Sequence, residues 1–269
     1  MFTEKVNIDG INLAYARRGR GAPLVLIHGY PLDHSIWNEL IPLLEPSFDL
    51  IVPDLRGFGR SDVLEADDSI IDYASDIADL LRRLKIKRAY LAGHSMGGYV
   101  ALAFAREYEQ RVLGLAMIAS QTLADPPERK EARYATAKQV VEEQSVGTVV
   151  EAMAPKLSAD MRIQEFARNL ISKQPPLGIF SALYAMADRP DSSDIFAAFP
   201  FPVVIVHGDA DALIPVDRGR EMKASLQSAH YVELPGVGHL PMMENPQAVA
   251  GALQFFTNVK VKGIKLLDG

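Results

Sequence analysis

The sequence predicts an α/β fold in which a mostly parallel eight-stranded sheet has helices on both faces and carries an inserted helical cap. Short, continuous apolar runs recur along the 269 residues, as expected for strands that are buried on both faces. Segments with helical periodicity separate most of these runs, and alternating strands and helices imply a mostly parallel sheet. The chain is long enough to bury a large core as one elaborated domain.

The first two strands form a hairpin at the edge of the predicted sheet. Residues 6–15 alternate apolar and polar side chains around Asp9-Gly10, which is the signal of a tight antiparallel turn. The other six strands are the apolar runs at residues 24–27, 50–52, 90–92, 113–118, 203–206 and 231–234. Ligands of such sheets bind beyond the carboxyl ends of the strands, so the loops after these runs are the candidate functional loops.

Helices are predicted between the strands from apolar spacing and capping residues. One begins after Ser69, a possible cap, and its apolar face consists of Ile70, Ala74, Ile77, Leu81 and Leu84. Another begins at Asn245-Pro246, and its buried face consists of Val249, Leu253 and Phe256. Both helices are amphipathic, so we expect each to lie on one face of the sheet.

The regular alternation stops between two core strands. Residues 121–202 hold helical runs at 128–144, 146–154, 159–173 and 176–187 and no convincing strand. An all-helical insertion at the ligand-binding edge predicts a cap or lid. The predicted organisation is therefore a core of residues 1–120 and 203–269 with a cap of residues 121–202.

Composition excludes several classes of function. The net charge is −6 and there is no basic run beyond short pairs, so we expect no nucleic-acid partner. No apolar stretch approaches the ~18 residues of a membrane span, and the N-terminus lacks the apolar core of a signal peptide, so a cytoplasmic protein is expected. The absence of cysteine excludes disulfides, thiolate metal sites and a cysteine nucleophile.

A serine lies in a sharp turn between a predicted strand and a predicted helix. Gly93 and Gly97 flank Ser95 at the G-x-S-x-G spacing, where neighbouring side chains would collide with a strained backbone. An apolar run precedes the turn and an alanine-rich helical run follows it. This context favours an exposed nucleophilic serine over a plain tight turn.

A serine hydroxyl needs a base and a group that orients the base. Of the six histidines, His239 lies in a Gly/Pro-rich loop after the last strand, from which an imidazole can reach the sheet edge. Asp209 and Asp211 follow the 203–206 strand, and either one could orient the base or act as a turn residue. These candidates occur along the chain in the order serine, aspartate, histidine, which differs from the order of the triad residues in trypsin-like and subtilisin-like proteases.

The third requirement is a pair of backbone N–H groups that stabilise an oxyanion. Met96 follows the candidate nucleophile and is expected to supply one of them. Tyr30, in the loop after the 24–27 strand, is the expected second donor, because Pro31 has no N–H.

Taken together, the chain resembles the α/β-hydrolase superfamily along essentially its whole length. The matching motifs are His28-Gly29, residues 54–62, Gly93–Gly97 around Ser95, Gly208-Asp209-Ala210-Asp211 and Gly238-His239. The resemblance selects Asp211 over Asp209 as the acid, which gives the triad Ser95, Asp211 and His239. Relatives that hydrolyse epoxides or remove halides use an aspartate in place of Ser95 and are disfavoured. We expect no metal and no cofactor, since no metal-ligand spacing is present.

The resemblance implies hydrolysis of carboxylic esters with small to medium acyl chains through an acyl-enzyme. His28, Met153, Leu183 and Leu240 are the predicted substrate-pocket residues. Three alternatives stay open: an enol-lactonase, a cofactor-free perhydrolase, and a signalling relative that binds a small ligand with slow turnover. The expected partner is a small ester or lactone, and the chain is expected to be a monomer or a homodimer.

Overall fold

The computed structural model describes residues 4–64 and 68–259, and eight strands form one sheet in it. The strands are β1 (Glu4–Ile8), β2 (Ile11–Gly19), β3 (Ala22–Ile27), β4 (Phe48–Pro53), β5 (Ala89–His94), β6 (Val112–Ile118), β7 (Val203–Gly208) and β8 (His230–Leu234). Their order across the sheet is β1-β2-β4-β3-β5-β6-β7-β8. The β1–β2 and β2–β4 pairs are antiparallel, and the other five pairs are parallel. The predicted fold class is confirmed.

The central strands are buried along their whole length. Every residue of β4, β5, β6 and β7 is buried, which explains why these strands appear in the sequence as continuous apolar runs. The β1–β2 hairpin turns at Asp9-Gly10, where both residues have positive φ. The predicted hairpin is therefore confirmed at the edge of the sheet.

Twelve helices surround the sheet in the described ranges. They are α1 (Ile41–Leu44), α2 (Ile70–Arg83), α3 (Met96–Glu107), α4 (Pro127–Glu143), α5 (Gly147–Leu157), α6 (Met161–Ile171), α7 (Pro176–Ala187), α8 (Ser193–Ala197), α9 (Asp217–Ser225), α10 (Pro241–Glu244), α11 (Pro246–Leu253) and α12 (Phe255–Asn258). Ser69 caps α2 in a capping box with Asp72, and the Asn245 side chain caps α11. None of these helices has the length and apolar character of a membrane span.

Two helical segments differ from the prediction. The single helix predicted after Asn245 is two helices, α11 and α12, although Val249, Leu253 and Phe256 are all buried as expected. Helix α9 connects β7 to β8 and was missed, because it buries only Gly219 and Met222 and so lacks an apolar stripe.

Helices α4–α8 form the insertion between β6 and β7, and no described residue of this segment belongs to a strand. Asp125 anchors it: the carboxylate accepts hydrogen bonds from Arg133 on α4 and from Arg189 after α7. Arg189 also donates to the Leu123 carbonyl at 2.8 Å. The division into core and cap stays a prediction, and residues 1–3, 65–67 and 260–269 of the predicted core lie outside the described ranges.

Candidate active site

Ser95 lies at the turn between β5 and α3, on a strained backbone. Its φ is 51° and its ψ is −115°, a combination that non-glycine residues rarely adopt. The turn has no room for side chains on either side: a Cβ on Gly93 would lie 2.2 Å from the Gly97 carbonyl oxygen, and a Cβ on Gly97 would lie 2.2 Å from the Ile27 carbonyl oxygen. The G-x-S-x-G spacing therefore has the steric cause that the sequence predicts.

Hydrogen bonds with β6 and with the loop after it hold this turn. The Ser95 N–H donates to the Ile118 carbonyl at 3.0 Å. The Ser120 hydroxyl donates to the Ser95 carbonyl at 2.8 Å. Sequence reasoning gave Ser120 no role, because a serine in a loop after a strand carries no distinguishing pattern.

Asp211 and His239 form a buried pair at the ends of β7 and β8. His239 Nδ1 donates to Asp211 Oδ2 at 2.7 Å, and the two side chains are 1% and 0% exposed. The other oxygen, Oδ1, accepts from the N–H groups of Leu213 and Ile214 at 2.8 and 2.9 Å. Burial alone raises the pKa of Asp211, but His239, His207 and the backbone N–H groups hold it well below its usual range.

The alternative acid lies elsewhere on the same loop. Asp209 is exposed, and its side chain accepts from the Gly236 N–H at 2.6 Å, which makes it a turn residue. Of the two aspartates, it is Asp211 whose carboxylate contacts the imidazole of His239. The geometry therefore agrees with the choice of Asp211, while its catalytic role stays a prediction.

Two other buried histidines support the loops around this pair. The His94 Nε2–H donates to the His239 carbonyl at 2.7 Å, and burial lowers the pKa of His94 well below its usual value. The His207 Nε2–H donates to the Ile214 carbonyl at 2.9 Å. A ring nitrogen that donates to a backbone carbonyl carries its proton there, so these histidines position backbone and do not act as bases toward Ser95.

The two predicted oxyanion donors have N–H groups with no acceptor in the described part of the chain. Met96 is the first residue of α3, where a backbone N–H has no partner within the helix. Tyr30 lies in the loop after β3 and donates no backbone hydrogen bond there. A Cβ on Gly97 would lie 2.2 Å from the Ile27 carbonyl oxygen and 2.7 Å from the His28 carbonyl oxygen, so the start of α3 and the β3 loop lie close to each other.

Ser95 and His239 face one cavity of about 320 Å³ between the strand ends and the inserted helices. Its lining residues are Tyr30, Ser95, Tyr99, Arg129, Ala132, Arg133, Thr136, Val149, Ala152, Met153, Lys156, Leu183, Met186, Leu213, Ile214 and His239. Among the described residues no hydrogen bond joins Ser95 Oγ to His239. Such contacts are often long before substrate binds.

Two of the four predicted pocket residues line this cavity and two do not. Met153 and Leu183 contribute to its wall. His28 and Leu240 are fully buried and are not among its lining residues, and all four pocket assignments stay predictions. Both ring nitrogens of His28 have backbone hydrogen-bond partners: Nε2 accepts from the Leu55 N–H at 2.9 Å, and Nδ1 donates to the Gly29 carbonyl at 3.0 Å.

Sequence reasoning missed the charged residues of the cavity. Arg129 and Arg133 are four residues apart on α4 and therefore share one helix face, and Lys156 comes from α5. The i,i+4 spacing was the available signal. It is weak, because charged residues on an inserted helix usually face water.

One group of described residues has donor atoms close enough together to bind a metal ion. Ligand atoms of Asp33, His34 and Asp54 lie within 4.8 Å of one another. Asp54 already accepts from the His34 N–H at 2.9 Å and from the Arg60 N–H at 3.0 Å, and His34 Nδ1 lies 2.7 Å from it. These bonds fix the loops after β3 and β4, which accounts for the cluster without a metal.

Comparison with known proteins gives a consistent result. Residues 22–246 match the family described as alpha/beta hydrolase fold. A thermophilic esterase from Thermogutta terrifontis, solved with malate bound, is 36% identical with a TM-score of 0.90, covering 96% of this chain and 98% of that one.

Two further relatives extend the comparison. The pimeloyl-[acyl-carrier protein] methyl ester esterase of Vibrio campbellii is 29% identical over 88% of this chain and 95% of its own length. An enol-lactonase from Burkholderia xenovorans superposes with a TM-score of 0.87 at 22% identity, over 95% of this chain and all of that one. At that identity the second likeness concerns the fold alone.

Proposed function

The chain belongs to the alpha/beta hydrolase family, and we propose that it is a serine hydrolase that cleaves carboxylic esters of small to medium acyl chain. Its hydrolase and esterase relatives support a hydrolase. The observation that carries the finer proposal is the buried 2.7 Å bond between Asp211 and His239 beside the cavity that Ser95 lines.

In the first half of the proposed reaction, Ser95 Oγ attacks the ester carbonyl carbon. His239 Nε2 accepts the hydroxyl proton, and the carbonyl electrons move to the oxygen, which the N–H groups of Tyr30 and Met96 stabilise. When the tetrahedral intermediate collapses, the carbon–oxygen bond to the alcohol breaks and His239 returns its proton to the departing oxygen. An acyl-enzyme and a free alcohol result.

In the second half, water repeats the sequence. His239 takes a proton from the water, the hydroxide adds to the acyl carbon, and the same two N–H groups stabilise the oxyanion. Collapse breaks the bond to Ser95, which regains the proton from His239, and the acid leaves. Throughout both halves Asp211 stabilises the imidazolium and keeps the proton of the neutral ring on Nδ1.

Hydrolysis of p-nitrophenyl esters from acetate to decanoate tests this proposal. We expect turnover by the wild type and a loss on the order of 10⁶-fold in kcat for Ser95→Ala. Ser228→Ala, an exposed serine remote from the cavity, is the matched control. A wild-type rate no higher than that of Ser95→Ala would overturn the assignment.

The same set of variants separates the alternatives that the sequence leaves open. A lactonase would hydrolyse enol-lactones faster than the linear esters, and a perhydrolase would oxidise halide when peroxide is supplied. A signalling relative would bind a small ligand tightly in Ser95→Ala while the wild type shows negligible esterase rate. Cytoplasmic location and a monomeric or homodimeric state stay predictions from the sequence.

A further inference from the structure

The cavity beside Ser95 is lined by positive charges and by no carboxylate. Arg129, Arg133 and Lys156 are its charged lining residues, and no Asp or Glu is among them. The nearest triad carboxylate, Asp211, lies behind His239 and is bonded to it. We call these three residues, Arg129, Arg133 and Lys156, the cationic wall, and a substrate in the cavity meets it on the side of the inserted helices.

A buried carboxylate, Asp125, balances part of this positive charge but not all of it. Asp125, whose side chain is fully buried, accepts from Arg133 and Arg189 and lies 3.8 Å from Arg129 Nε. One carboxylate thus faces three guanidinium groups, which leaves an excess of two positive charges. Lys156 adds a third, since it has no ion-pair partner among the described residues.

Arg133 still has a hydrogen-bonding group to offer. Its Nε donates to Asp125 and its Nη1 contacts the Met186 sulfur at 3.4 Å, whereas its Nη2 has no acceptor in the described ranges. Arg133 lines the same cavity as Tyr30 and Ser95, and its charge opposes the rise that burial causes in the pKa of Tyr30. The cationic wall and the reacting centre therefore belong to one site.

We propose that the preferred ester substrate also carries a carboxylate group, which Arg129, Arg133 and Lys156 bind while Ser95 attacks the ester carbonyl. This inference rests on the proposed function and specifies its substrate class. Most of the other lining residues are apolar and fit an apolar spacer between the two groups; they include Val149, Met153, Leu183, Met186, Leu213 and Ile214. Charge-assisted hydrogen bonds to a carboxylate are among the strong interactions of proteins.

Methanol release from half-esters tests the proposal. Monomethyl esters of dicarboxylic acids place the carboxylate on the acyl side, and acetyl esters of hydroxy acids place it on the alcohol side. Each is compared with a neutral ester of the same carbon count, with acetate release measured for the acetyl series. We expect kcat/KM for the best anionic ester to exceed that of its neutral counterpart by about tenfold or more, and sodium chloride to reduce this ratio.

Variants locate the source of the preference. Arg129→Gln and Lys156→Gln remove charge from the wall without leaving the buried Asp125 unpaired, because Arg133 and Arg189 remain. Each is expected to lower the anionic-to-neutral ratio, and the double variant to lower it about tenfold or more. Lys138→Gln is the matched control, since it removes the same charge from α4 at a side chain that is 74% exposed and outside the cavity lining.

The outcomes distinguish this inference from the proposed function. If the wild type hydrolyses neutral esters through Ser95 but shows no preference for the anionic ones, the carboxylate proposal is wrong and the esterase proposal stands. If Lys138→Gln lowers the ratio as much as the double variant, overall charge explains the preference and the assigned wall is wrong. If Ser95→Ala retains activity on both series, the proposed function itself fails.

Discussion

Replacing Asp211 by asparagine tests how the triad is oriented, because the substitution changes charge and hydrogen-bonding character at nearly constant shape. In the wild type Oδ1 accepts from the N–H groups of Leu213 and Ile214 at 2.8 and 2.9 Å, and Oδ2 accepts from His239 Nδ1 at 2.7 Å. The amide oxygen can replace Oδ1 only. The opposite orientation would place the NH₂ group against two backbone donors.

The NH₂ group must therefore face His239 Nδ1, to which it can only donate. The ring then carries its proton on Nε2, the nitrogen that has to accept the Ser95 proton. The corresponding change in a serine protease lowers kcat about 10⁴-fold, and we expect a similar loss here, equivalent to about 5.5 kcal/mol of activation free energy. Because contacts hold the Asp211 pKa well below its usual range, the carboxylate stays charged throughout a neutral-pH assay.

The assay is kcat/KM on a p-nitrophenyl ester at neutral pH, with Asp209→Asn as the matched control on the same loop. Asp209 is exposed and caps the turn at Gly236, so its variant should remain within about twofold of wild type. Thermal unfolding of both variants separates lost chemistry from lost fold. The reasoning is refuted if folded Asp211→Asn keeps more than about a tenth of the wild-type rate, or if Asp209→Asn loses as much.

Three predictions concern stability, each measured by urea unfolding. Gly97→Ala should lower the free energy of unfolding by about 1–3 kcal/mol or more, because the new Cβ would lie 2.2 Å from the Ile27 carbonyl oxygen. Gly251→Ala in α11, where a Cβ would have nothing within 4 Å, should raise it by about 0.5–1 kcal/mol. Equal effects of the two variants would contradict the steric argument. Ser69→Ala should cost about 1 kcal/mol through loss of the α2 capping box, and no change would argue against that cap. Burial raises the pKa of Asp125, but the effect of its arginine partners is larger and brings the folded-state pKa below the usual 3.8. The ion pairs of Asp125 therefore stabilise the fold above pH 3.8, and this stabilisation is lost as the pH falls through the folded-state pKa. Asp125→Asn should therefore cost about 3–5 kcal/mol at neutral pH and progressively less below about pH 4, whereas a pH-independent difference would exclude the ion-pair explanation.

The sequence predicts most of the sheet and several helix boundaries because burial and capping leave local signals. A strand buried on both faces must be apolar throughout, and α7 begins and ends at the residues predicted for it. Helix α9 leaves no such signal, since only Gly219 and Met222 are buried on it. A helix that touches the sheet at two points cannot be recognised from apolar periodicity.

The candidate site shows the same division between local and tertiary information. The turn at Ser95 and the loop positions of Asp211 and His239 follow from spacing, because backbone sterics and strand ends fix them. Nearness in sequence is a weaker guide for His28 and Leu240, which adjoin site residues but are fully buried and are not among the lining residues of the cavity. Which direction a side chain takes from a loop depends on packing that no short window of sequence contains.

Arg133 connects the stability of the inserted helices to the chemistry of the cavity. Its side chain is only 13% exposed, its Nε donates to the fully buried Asp125, and it lines the cavity that Ser95 faces. Asp125 in turn binds Arg189, which donates to the Leu123 carbonyl where the chain leaves the core. The guanidinium group that helps to hold α4 in place therefore also contributes to the electrostatic field of the proposed substrate site. A substitution at Arg133 would change the charge of the cavity and the attachment of α4 at once. Substitutions at Arg129 and Lys156, which are less involved in the contacts of Asp125, would change the charge of the cavity while the inserted helices stay attached.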